Sequence, residues 1–283
     1  MVEFEPIVGR YVSVDILGRK HRVYVEESGS GQPVVCLHTA GADSRQYRHF
    51  QTDPEVLQQF RVIAFDLPWH GKSLPPDGWW QEEYLLTQER YIDTVMATIR
   101  TLELDKPIVV GCSMAGSLVL ELARSHGKEL AGVVGFSGAA KVEGRFQDWP
   151  LMPDINSNQV VPTWTEALMA PQSPLASRKE VWWIYSQGGP GIYRGDTYFY
   201  SNGFDLRGRE TEIDTAACPV YLFTGEYDFA CSADESEETI ARIPGGKGGR
   251  MPDIGHFPIS ENYPLCRTYL MPALEGILGR DTA

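Results

Sequence analysis

The chain has 283 residues, 42% hydrophobic and 22% charged, a composition that supports one sizeable globular core and is short for two large domains. Its formal net charge of −13 argues against polyanionic partners, so neither nucleic acid nor an anionic membrane surface is expected.

Met1-Val2-Glu3-Phe4-Glu5-Pro6 has no basic stretch followed by an apolar one, so a signal peptide is not expected. No later apolar run approaches the length of a membrane span. Tyr11 to Ile16 and Arg22 to Glu26 alternate as strands, and Leu17-Gly18-Arg19-Lys20 turns between them as an opening antiparallel hairpin. Ser28 to Gln32 reads as a loop, and Val34 to Leu37 as a short buried strand. Ser44 to Phe60 is expected to be partly helical, with Pro54 opening a second segment. Arg61 to Phe65 is the next strand and runs into the turn-rich Asp66 to Ser73. Leu86, Tyr91, Val95, Ile99 and Leu102 mark a long amphipathic helix.

Ile108 to Val110 is a β-branched strand, followed by Gly111-Cys112-Ser113-Met114-Ala115-Gly116. Leu118, Val119, Leu122 and Ala123 then repeat at helical spacing, with Gly127 as the expected stop. Ser113 thus sits on a strand-to-helix turn with small residues two before and two after it, the layout of a nucleophile elbow. The usual pattern ends in glycine where this chain has Ala115, the next smallest side chain.

Gly132 to Phe136 continues the alternation of strand and helix, which predicts an α/β fold with a mostly parallel sheet flanked by helices. From Lys141 to Arg209 that rhythm stops. This stretch holds 11 aromatic residues in 69, against 20 in the remaining 214, so it is compositionally a separate piece. The rhythm resumes with Val220 to Thr224, then a short strand at Arg250 and Met251. A helix from about Leu265 to Leu278 closes the chain, with a kink or break expected at Pro272. The five cysteines fit no zinc spacing, and Cys36, Cys112 and Cys218 lie in or beside apolar runs. Buried reduced thiols and a cytoplasmic setting are expected.

A serine hydroxyl needs a histidine base, and the base needs a carboxylate to fix its tautomer. His256, in the loop after the last strand, is the candidate base. Asp228, just past the strand Val220 to Thr224, is the candidate carboxylate, and Glu226 is its local rival. All three groups then fall at the C-terminal ends of strands, where open parallel sheets place their ligands.

The order Ser113, Asp228, His256 resembles that of α/β-hydrolase-fold enzymes, as do Val34-Val35-Cys36-Leu37-His38, Phe65 to Ser73 and Gly255-His256-Phe257-Pro258. Thr39 and Trp69 stand where that family usually has glycine. The resemblance implies an α/β-hydrolase core over residues 1–140 and 210–283 with an inserted lid over 141–209. It places the oxyanion-binding N–H groups on Ala40 and Met114, and gives His38 and His70 structural roles.

Trp149, Trp164, Trp182, Trp183, Tyr185, Tyr193, Tyr198, Phe199 and Tyr200 would line or pack the lid. Of these Trp182 and Trp183, with Trp69, are the candidates for contact with substrate. The expected activity is hydrolysis of an ester-like bond in a small, largely apolar or aromatic molecule, with no metal or organic cofactor. Carbon–carbon bond hydrolysis of a diketone-type substrate is the alternative, and a ligand-binding receptor on the same fold is the third. Haloalkane dehalogenase and epoxide hydrolase chemistry are disfavoured, because those relatives carry aspartate at the elbow. A homo-oligomer is possible but has no signature in the sequence.

Overall fold

The computed structural model describes residues 3–279. Met1 and Val2 of the N-terminal stretch, and residues 280–283 at the end of the expected core, lie outside it. Eight strands form one sheet in the order β1-β2-β4-β3-β5-β6-β7-β8. They are β1 Val8–Ile16, β2 Arg19–Gly29, β3 Gln32–Leu37, β4 Phe60–Phe65, β5 Ile108–Cys112, β6 Gly132–Phe136, β7 Val220–Gly225 and β8 Lys247–Met251. β1 and β2 pair antiparallel, β2 joins β4 antiparallel, and every other pairing is parallel. The expected α/β fold is the one observed. Ser28 and Gly29 belong to β2 rather than to a loop, so the turn to β3 is shorter than the sequence suggests.

The opening hairpin turns through Leu17 and Gly18 alone, because Ile16 pairs directly with Arg19. Both turn residues have positive φ, 49° and 76°, which matches the twist of the flanking strands. The central strands are apolar throughout because helices cover both faces. Alternate residues sort to opposite cores: Val35, Leu37, Val109 and Val133 to one, Val34, Cys36, Val110 and Val134 to the other. The first face carries helices Gln88–Thr101 and Met114–His126, the second the closing helix Tyr263–Ile277. That closing helix runs unbroken through Pro272.

Gly127 is not a left-handed stop. Its φ is −54°, and the chain continues into a 3₁₀ turn, Gly127–Glu129. What requires glycine there is space, since a Cβ would lie 3.0 Å from that of Cys218. Helix Ala233–Arg242 has no counterpart in the sequence reading. Its buried face is Ala233, Ser236, Thr239 and Ile240, too polar to register as an apolar period. Its start was nevertheless written in the Ser232…Glu235 capping box.

Between β6 and β7 there is no strand. Helices Ser157–Glu166, Leu175–Tyr185 and Ile192–Tyr198 and a π-helical turn, Phe199–Gly203, fill the interval. Among the described residues no helix is long and apolar enough to cross a membrane. All five cysteines are buried and unpaired, and burial raises each thiol pKa, that of Cys218 to about 12.

Candidate active site

Ser113 leaves the end of β5 with φ 61° and ψ −121°, a conformation sparsely populated for any side chain and costing about 1–3 kcal/mol. The surroundings enforce it. The Ser113 N–H donates to Phe136 O at 2.8 Å, and the Ser117 N–H returns to Ser113 O at 3.1 Å. Small residues make the turn possible. A Cβ on Gly111 would lie 2.5 Å from Ala115 O, and one on Gly116 would lie 2.1 Å from Phe136 O. Alanine at 115 is therefore accommodated because position 111 carries no side chain.

His256 arrives from the loop after β8, and Asp228 from the loop after β7. His256 Nε2 lies 2.8 Å from Ser113 Oγ, and Nδ1 lies 2.8 Å from Asp228 Oδ2. The other Asp228 oxygen accepts the N–H groups of Ala230 and Cys231 at 2.8 and 2.9 Å. All three side chains are buried, each under 5% exposed. An Asp228 carboxylate so held can only accept, so His256 Nδ1 carries a proton and Nε2 faces the hydroxyl with its lone pair. This arrangement can take a proton from Ser113 and hold the resulting imidazolium. Glu226 is exposed at the surface, 3.4 Å from the Asp253 N–H, and does not reach His256.

The loop after β3 supplies the other wall. Neither the Ala40 N–H nor the Met114 N–H has an acceptor among the described residues. Ala40 lines the cavity over Ser113, and Met114 begins the helix whose N-terminal dipole points at the serine. Two free donors beside a nucleophile can receive a developing oxyanion. The Thr39 hydroxyl bonds both Gln46 and Tyr185, which joins this loop to helix Leu175–Tyr185.

The cavity over Ser113 has about 10 Å³ of free volume, room for roughly one water. Leu168, Tyr185, Tyr193, Tyr200 and Phe257 give it an apolar lining, and Arg145 and Thr165 add polar groups. Burial pushes the Tyr185, Tyr193 and Tyr200 phenols up, so they remain protonated donors. Arg145 has no carboxylate partner among the described residues and lies over the Trp164 ring. Nothing in the sequence marks it for a role.

Trp69, Trp182 and Trp183 are not among the residues around Ser113. On helix Leu175–Tyr185 the inward positions are Val181, Ile184 and Tyr185, so Trp182 and Trp183 fall on other faces, Trp183 61% exposed. Helical phase, not ring size, selects which aromatic reaches the cavity. Trp69 takes φ 79°, which explains why glycine suits this position, and packs against Trp79 and Tyr84.

A second buried pair lies nearby. His70 Nε2 is 2.8 Å from Asp196 Oδ2, which also accepts the Gly41 N–H at 2.7 Å. Tyr84 donates to Asp196 Oδ1 at 2.7 Å, and His70 Nδ1 lies 3.1 Å from Pro68 O. Burial lowers the His70 pKa, but Asp196, Pro68 O and Asp66 outweigh it, and the net shift is upward. The neighbouring His38, its ring tilted 44° to that of His70, accepts the Leu67 N–H at Nε2 and meets Thr39 O at Nδ1, so it is neutral. Burial and the charge of His70 lower its pKa accordingly.

Comparison with known proteins bears on the family and the fold. Residues 34–264 match the family model described as the alpha/beta hydrolase family. The AB hydrolase superfamily protein YisY of Bacillus subtilis is 30% identical over 119 residues, 42% of each chain. The 2-hydroxy-6-oxo-6-(2'-aminophenyl)hexa-2,4-dienoic acid hydrolase of Metapseudomonas resinovorans is 33% identical over 132 residues, 46% of this chain and 43% of that one. The chain thus matches less than half the length of either curated relative. A malate-bound thermophilic esterase from Thermogutta terrifontis superposes over 95% of this chain and 99% of its own, with a TM-score of 0.78 at 19% identity, a likeness of fold.

Proposed function

The chain belongs to the alpha/beta hydrolase family, and we propose that within it the protein is a serine hydrolase of ester-like bonds in small, largely apolar molecules. The carrying observation is the chain of hydrogen bonds from Ser113 through His256 to Asp228, both at 2.8 Å, beside two unclaimed N–H groups. Ser113 Oγ attacks the acyl carbon while His256 Nε2 takes its proton. The carbonyl electrons move to oxygen, which the Ala40 and Met114 N–H groups receive. His256 then protonates the departing alcohol and leaves an ester on Ser113. Water, deprotonated by His256, attacks that ester and releases the carboxylic acid. Asp228 keeps His256 in the required tautomer throughout.

In this reading residues 141–209 are a lid, and the single-water cavity is its closed state. Five buried thiols support a cytoplasmic setting. Arg145 favours a second reading. A guanidinium beside Ser113 that has no carboxylate partner among the described residues suits a substrate that carries its own carboxylate, and a curated relative is named as a dienoic acid hydrolase. That reading is carbon–carbon bond hydrolysis of a diketone-type acid. A screen of p-nitrophenyl esters of graded size beside aromatic diketones, with and without a carboxylate, separates the two. Ester turnover whose kcat/KM climbs with acyl size supports the first reading. Faster cleavage of the acidic diketone, lost in Arg145→Gln, replaces it with the second. A single slow turnover without steady-state activity on either class defeats both and leaves a receptor.

A further inference from the structure

A second cavity, of about 140 Å³, shares no lining residue with the one over Ser113. It opens between the β1–β2 turn, the loop after β4 and the start of helix Gln88–Thr101. Most of its wall is apolar: Ile16, Leu67, Pro68, Trp69, Tyr84 and Leu86. Its charged lining is cationic, from Arg19 and Arg90, with the His21 ring beside them, and no carboxylate lines it. In a chain of net charge −13 that segregation is unexpected from composition.

The three basic groups are not equally occupied. Arg19 is paired with Glu82 at 2.7 Å. Arg90 is half-buried and has no carboxylate within ion-pair reach among the described residues. His21 Nδ1 is buried and has no hydrogen-bond partner. Burial, and then the charges of Arg19 and Arg90, lower the His21 pKa against the opposing pull of Glu82 and Asp15. A cation and an unmet ring nitrogen therefore converge on an apolar space. An apolar cavity of about 150 Å³ accepts benzene, which sets the scale of what fits.

We propose that this cavity binds a small monocarboxylate with an apolar body, of the size of benzoate or hexanoate. The carboxylate is set against Arg90 and His21, in the forked geometry that guanidinium offers to two oxygens. The hydrocarbon lies against Trp69, Tyr84 and Leu86, where a ring finds offset or edge-on partners. The site is independent of any chemistry at Ser113.

Isothermal titration of the intact protein with benzoate and with benzamide, its uncharged counterpart, at neutral pH and low salt tests this. Benzoate should bind at least tenfold more tightly than benzamide. Arg90→Gln should abolish that preference and keep the benzamide affinity, while Arg90→Lys should keep part of it. Arg145→Gln, which alters the cation over Ser113, should leave both affinities unchanged. In wild-type spectra the Trp69 indole N–H should shift with benzoate. Equal affinities, no binding, or a benzoate preference lost in Arg145→Gln rather than Arg90→Gln would overturn the proposal.

Discussion

Two buried histidine–carboxylate pairs, His256–Asp228 and His70–Asp196, share a 2.8 Å separation and differ in what the second ring nitrogen meets. For His256 it is the Ser113 hydroxyl, which can donate as well as accept. For His70 it is Pro68 O, which can only accept. Both His70 nitrogens therefore face acceptors, and the ring is an imidazolium with no lone pair to offer. Asp196, supplied by His70, Gly41 and Tyr84, needs no proton of its own. A histidine beside an aspartate is thus not a base by virtue of the pair. The third partner decides whether it shuttles a proton or fastens two segments together.

The largest expected effect falls on the first pair and its hydroxyl. Ser113→Ala should lower kcat on the order of 10⁴-fold or more with the fold intact, and a fluorophosphonate should label wild-type protein at Ser113. Labelling at another serine would remove Ser113 from the scheme. Asp228→Asn should cut kcat by about 10⁴-fold with little change in Tm. Asp196→Asn should do the reverse. It strands a buried cation and should cost about 3–5 kcal/mol in denaturant unfolding, with a smaller effect on the kcat of folded protein. If the two aspartates exchanged these phenotypes, the contrast between the pairs would be inverted.

A subtler effect separates the pairs by pH. The folded His70 pKa is raised, so its contribution is fully present below the unfolded value of about 6.5 and is lost as pH rises through the folded value. The groups facing it are Asp196, Asp66, His38 and Tyr84. The Tm gap between wild type and His70→Gln should be widest on the acid side of that window and narrow above it. A gap that widens with pH would mean that His70 is neutral. The smallest effect is expected at Glu226, which is exposed. Glu226→Gln should stay within about 0.5 kcal/mol of wild type in stability and leave kcat nearly unchanged. A large loss there would shift the carboxylate role away from Asp228.

These contrasts also mark where the sequence was readable. Ser113 and Asp228 were legible because each follows a strand announced by its own β-branched or apolar run, whereas His256 follows the Gly-rich β8 and was picked out by chain order and the Gly255-His256-Phe257-Pro258 loop. The sheet was legible for the same reason. Asp196 was not, because its partner His70 lies 126 residues away and nothing local marks the pairing. Arg145 sat in a stretch with no period to say which way it points. Trp182 and Trp183 misled through size, since the burial of Val181, Ile184 and Tyr185 had to be known before their phase was fixed. Helix Ala233–Arg242 was hidden by its polar inward face and betrayed only by its cap.

Glu261 bears on how anything reaches Ser113. Its buried carboxylate accepts the N–H groups of Gly255 and Phe257, which flank His256, and also the Ala170 N–H and the Ser173 hydroxyl. Burial raises its pKa against the opposing pull of these donors. The same carboxylate thus braces the base and pins one flank of the stretch between β6 and β7, as Asp196 pins the other. Each buried donor left without its acceptor costs about 1–3 kcal/mol, so neither flank lifts cheaply. The span from Trp149 to Trp164 carries no such rivet and exposes Leu151, Met152, Val160 and Trp164 to water. Were residues 141–209 the proposed lid, this span, which precedes both pinned points in the chain, would be the leaf that swings, with Thr165, which lines the cavity over Ser113, at its edge.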